Sequence, residues 1–78
     1  MNTNNLPIII QTEDFDELAF IREVTISQFD SNYFLAEAVS IHLGSGDQFV
    51  RGTVLATTQE ELINKANDWV SYKEEYFY

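Results

Sequence analysis

Seventy-eight residues with thirteen acidic against four basic side chains carry a formal net charge of -9, and 45% of the chain is apolar. That apolar content excludes a disordered polyelectrolyte, and the length excludes more than one small domain, which buries only about 60 to 65% of its unfolded surface. The absence of cysteine removes disulfides, thiolate nucleophiles and cysteine-held zinc, and it points to a reducing cytoplasm.

Residues 1–5 are small and polar without periodicity, which predicts a loose arm ahead of the single domain. The start MNTNNLPIII has no basic n-region and only three consecutive isoleucines, so neither a signal peptide nor a membrane span is expected. Residues 6–11 are apolar with Pro7 near the front, which suits a short edge strand, because proline donates nothing to a central ladder; an extended lead-in is the alternative. Thr12 then caps a short helix over residues 12–19, with Glu13, Asp14, Asp16 and Glu17 at the end where the helix dipole favours negative charge.

From residue 20 to 29 the pattern alternates as a strand, Val24 and Ile26 on one face and Glu23, Thr25 and Ser27 on the other. Asp30, Ser31 and Asn32 supply turn chemistry. The strand that follows, residues 33–43, sets Leu35, Val39, Ile41 and Leu43 against Phe34, Ala36, Ala38, Ser40 and His42. Its small residues leave room for a helix or another chain, so this strand is expected at the centre, covered on both faces. Gly44, Ser45, Gly46 and Asp47 make the strongest turn signal, and residues 48–57 read as a third strand.

Thr58 and Glu61 have the spacing of a capping box. Beyond them Leu62, Ile63, Ala66, Trp69, Val70, Lys73, Tyr76 and Phe77 recur at steps of three and four, an amphipathic helix expected to lie across the sheet. Tyr72 and Tyr78 fall outside that stripe. The fold class is therefore α+β: a three-stranded antiparallel meander, a packed C-terminal helix, and the short helix over residues 12–19 as a further expectation.

No constellation of residues builds a recognisable active site. The carboxylates at 13, 14, 16 and 17 lack the alternation, the sixth-position glycine and the twelfth-position glutamate of a calcium loop, so no metal is expected. His42, the one histidine, has no carboxylate or nucleophile placed to tune it, and a surface or half-buried strand end is its ordinary setting. Gly44 and Gly46 lack the lysine, the third glycine and the strand-to-helix context of a phosphate loop. Four basic residues among acidic neighbours cannot neutralise a phosphate backbone, so direct nucleic-acid binding is not expected. Paired-carboxylate chemistry needs a cleft that so small a domain has little material to build, so the chain reads as a non-enzyme without a cofactor.

What remains is charge. Four carboxylates within five residues, Glu13, Asp14, Asp16 and Glu17, joined by Glu74 and Glu75 in the aromatic tail, are the candidate partner-binding residues. The partner they fit is the basic surface of a nucleic-acid-binding protein, which the chain would occupy as a nucleic-acid mimic and so inhibit. In size and charge the chain is similar to small phage-encoded antagonists of restriction and CRISPR systems, a likeness of style that rests on no motif. The alternative is an assembly module, homodimeric or part of a larger complex, in which apolar surface at Ala36, Ala38 and Ser40 meets a second chain.

Overall fold

The fold, described by a computed structural model over residues 6–12 and 20–72, follows from these patterns with one strand added. Four strands, β1 (Ile8–Gln11), β2 (Phe20–Gln28), β3 (Phe34–His42) and β4 (Gln48–Ala56), pair antiparallel in the order of the chain, and helix α1 (Gln59–Tyr72) crosses the sheet. The sheet thus has four strands rather than three. The isoleucine run is hydrogen-bonded into the ladder, Ile8 opposite Ile26 and Ile10 opposite Val24, because its alternation matches that of β2. The loose arm over 1–5, the short helix over 12–19 and the tail beyond residue 72 lie outside the described residues.

Register decides which side chains share a face. Ile26 stands opposite Ala36 and Val24 opposite Ala38. Ala36 in turn faces Val54, and Ala38 faces Gly52. One face of the sheet therefore reads Ile8 and Ile10, then Val24 and Ile26, then Ala36 and Ala38, then Val54 and Ala56. Helix α1 closes over this face with Leu62, Ala66, Trp69 and Val70, forming one core with Val24, Ile26, Ala36, Ala38 and Ala56. The alanines are small because the helix backbone must come close at the middle of the sheet. That closure removes Ala36 and Ala38 from any contact with another chain, since both are wholly buried within the domain.

The helix starts where its sequence says, Thr58 Oγ1 accepting the Glu61 N–H at 3.3 Å. Across the sheet from α1 the other face mixes apolar and polar rows. Ser27, Leu35 and Leu55 form one row, and Thr25, Glu37 and Thr53 the next. Val39 on this face is only 7% exposed, flanked by Glu23 and Val50, whereas Leu35 and Ile41 are half-buried.

A feature with a weak sequence signal interrupts β4. Ala38 pairs with Gly52 but Val39 pairs with Val50, so Arg51 is the extra residue of a β-bulge. An isolated glycine inside a strand pattern is the local mark of such a bulge. Among the described residues no helix is long and apolar enough to cross a membrane.

Candidate partner-binding surface

The six candidate residues, Glu13, Asp14, Asp16, Glu17, Glu74 and Glu75, all lie outside the described residues, and so does the tail tyrosine Tyr78. What the fold does place is the frame on either side of them. Thr12 and Phe20 bracket the first acidic segment. Thr12 N–H donates to the Arg22 carbonyl at 3.0 Å while its Oγ1 accepts the Arg22 N–H at 3.1 Å, which ties the start of that segment to the first turn-end of β2.

The Arg22 side chain joins the second frame to the first. Its guanidinium carbon stands 4.5 Å from the centroid of the Trp69 ring, and its Nη1 donates to the Trp69 carbonyl at 3.4 Å. A cation near the last carbonyls of a helix complements the dipole, and the indole face adds a cation–π attraction of about 1 kcal/mol. No basic residue stands in the last described turn of α1, so Arg22 of β2 supplies the cation from across the core. The contact fixes the C-terminal end of α1, from which residues 73–78 continue, at the same pole as Thr12 and Phe20.

The turn between β3 and β4 completes this pole. Phe20 packs edge-on against His42 with ring centroids 5.0 Å apart, and against Phe49 at 6.2 Å. His42 Nδ1 accepts the Ser45 N–H at 3.2 Å and lies 3.0 Å from Ser45 Oγ, which in turn accepts the Asp47 N–H at 3.2 Å. In the neutral ring these contacts assign the proton to Nε2. The imidazole is therefore a brace for the turn. A Cβ at Gly44 would stand 3.1 Å from His42 Cε1, and Gly46 adopts φ 77°, so each glycine has its own reason to be there. His42 is half-buried at a strand end as the sequence suggests, and Gly44 to Asp47 form a turn.

Charge is unevenly distributed over the molecule. Seven acidic and three basic residues lie among those described, which leaves -5 of the formal -9 to the undescribed segments, four of those charges within residues 13–17. The described carboxylates are scattered: Asp30 in the β2–β3 turn, Glu60 and Glu61 at the start of α1, Glu23 and Glu37 on the open face, Asp47 and Asp68 toward the pole just described. Asp30 is engaged locally, its Oδ1 accepting the N–H groups of Asn32 and Tyr33. Glu23 accepts from Gln11 Nε2 at 2.6 Å. Among the described residues no group of three His, Cys, Asp or Glu side chains could hold a metal ion.

Comparison with known protein families, with curated proteins and with solved structures finds no match.

Proposed function

We propose that this protein is a non-enzymatic inhibitor that occupies the basic surface of a nucleic-acid-binding protein. The observation that supports it is the arrangement of the frame: Thr12, Phe20 and the end of α1, the described residues that adjoin the two acidic segments in sequence, converge on one pole of the sheet. Six carboxylates in the two sequence segments that adjoin this pole, with Asp47 and Asp68 toward it, would concentrate a field that a basic groove recognises and that speeds encounter. Screening by salt should weaken such an association steeply, because the charges are on a surface and the Debye length is only about 8 Å at physiological ionic strength.

The test is capture of partners from lysate at low and high salt, followed by competition with duplex DNA. A captured protein that binds nucleic acid, is released by added DNA, and is lost with the double reversal Asp14→Lys and Glu17→Lys supports the reading. The double reversal Glu37→Lys and Glu60→Lys makes the same change in net charge away from the acidic pole and should leave capture intact. Equal loss with both pairs, or retention with both, would refute a polar docking surface.

A further inference from the structure

We infer that the turn between β3 and β4 is a proton-controlled latch, closed by the neutral imidazole of His42 and released when that ring takes up a proton. The inference is independent of the inhibitor reading. It starts from the direction of one hydrogen bond. The Ser45 backbone N–H donates to His42 Nδ1 at 3.2 Å. A backbone N–H can only donate, so this bond exists only while Nδ1 keeps its lone pair, which is the neutral ring. The second contact of the same nitrogen, 3.0 Å to Ser45 Oγ, works in either direction: the hydroxyl donates to the neutral ring and accepts from the protonated one. Protonation therefore reverses one bond and sets the other donor against donor.

The other hairpin of the sheet provides the contrast. In the turn between β2 and β3, Asp30 Oδ1 accepts the Tyr33 N–H at 2.9 Å, just as His42 Nδ1 accepts the N–H of Ser45. Both turns are thus braced by a side-chain acceptor aimed at the backbone donor three residues on. The acceptors differ in chemistry. A carboxylate stays ionised down to about pH 5, whereas histidine is the side chain whose charge changes between about pH 8 and about pH 5. The chain has one histidine, so this is the turn whose brace responds in that range.

The ring is placed to pass its state on. Phe20 of β2 meets it edge-on with centroids 5.0 Å apart, and Phe49 of β4 meets Phe20 at 6.2 Å. Gly44 lets the turn lie close over the ring, since a Cβ there would stand 3.1 Å from His42 Cε1. The charged groups around the imidazole are Asp47 on its own hairpin, Arg22 next along the face of β2 from Phe20, and Asp68 toward the same pole from α1. Arg22 is stacked on Trp69, and Asp47 is held through its backbone, its N–H on Ser45 Oγ and its carbonyl on the His42 N–H. Among the described residues none of these charged side chains hydrogen-bonds the ring, whose polar partners are the N–H and Oγ of Ser45. Release is local. The Gly46 N–H to the His42 carbonyl, at 2.7 Å, and the His42 N–H to the Asp47 carbonyl, at 2.9 Å, contain no imidazole atom and still close the hairpin.

NMR of the imidazole and the amides on the full chain, from about pH 8 to about pH 5, tests the latch. At the upper end the ring should carry its proton on Nε2, with Nδ1 bare. As the ring titrates, the Ser45 N–H should lose about fivefold of its protection from exchange with water, corrected for the intrinsic effect of pH and with the same midpoint as the ring. The Tyr33 N–H, braced by Asp30, should not follow. His42→Asn keeps an acceptor near the position of Nδ1 but takes up no proton, so its Ser45 N–H should be indifferent to pH while the terminal amine titrates as before. If that variant leaves the Ser45 N–H unprotected throughout, the coincidence of the two wild-type midpoints decides. A ring proton on Nδ1 at high pH, a wild-type Ser45 N–H that ignores the titration of the ring, or the same response in the His42→Asn chain would each overturn the inference.

Discussion

Leu62→Ala isolates the contribution of the helix to this small core. Leu62 is wholly buried and shares the core with Val24 and Ile26, the other two largest side chains that are fully enclosed. Much of the remaining wall is alanine, at 36, 38, 56 and 66, and alanine has no rotamer with which to swing into a vacated space. The cavity left by the lost Cγ and two Cδ atoms should thus persist, which puts the cost toward the upper middle of the usual range for buried leucine truncation, about 3 to 4 kcal/mol. A chain of 78 residues is expected to have a total stability of roughly 4 to 12 kcal/mol. The substitution therefore removes a large share of the total, and it should lower the melting temperature by roughly 15 to 25 °C. Urea unfolding followed through Trp69, which is 3% exposed and so changes environment completely on unfolding, provides the assay. It should be run at low protein concentration to keep self-association out of the measurement. Leu43→Ala is the reference, since Leu43 is 40% exposed and its truncation should stay within about 0.5 kcal/mol. A loss at Leu62 below about 1 kcal/mol, or one equal to that at Leu43, would refute the packing of α1 against the alanine face.

Three further substitutions probe single contacts. Arg22→Lys keeps the charge but loses the planar stacking on Trp69 and should cost about 1 kcal/mol, with a shifted Trp69 emission maximum in the folded state; unchanged emission would contradict the 4.5 Å contact. Thr58→Ala leaves the Glu61 N–H without its cap and should cost about 1 kcal/mol, read by urea unfolding, whereas Thr58→Ser should restore most of it. Gly46→Ala meets no atom within 4 Å of the added Cβ, so its expected cost of about 1 kcal/mol is purely that of holding φ at 77°; a neutral result in thermal unfolding would show that the turn relaxes to another form.

Local pattern made most of the elements legible, and distance in the chain hid most of the rest. The alternation around Val24 and Ile26, the turn at Gly44 to Asp47 and the cap at Thr58 are signals spanning a few residues, and each element stands within one or two residues of where those signals put it. The isoleucine run was ambiguous because four residues are too few to separate a strand from an extended lead-in; pairing Ile8 with Ile26 and Ile10 with Val24 resolves it. Arg22 and Trp69 are 47 positions apart, and no spacing rule connects a strand residue to a helix end at that range. The candidate acidic residues were visible as a run of charge. That the described residues flanking both acidic segments stand at one pole was not visible, since it depends on Thr12, Phe20 and Trp69 meeting there.

The sequence by itself determined the periodicities, and hence which residues form strands, turns and helix, because backbone conformation responds to neighbours a few positions away. It also determined the sign and density of charge. Only the tertiary structure decided that the alanine face belongs to α1 rather than to another chain, that Arg51 is expelled as a bulge, and that β4 is left as the long edge. Those outcomes depend on strand register and on which face the helix covers, and both are set by contacts between residues far apart in the chain, where burying one apolar face excludes the alternatives.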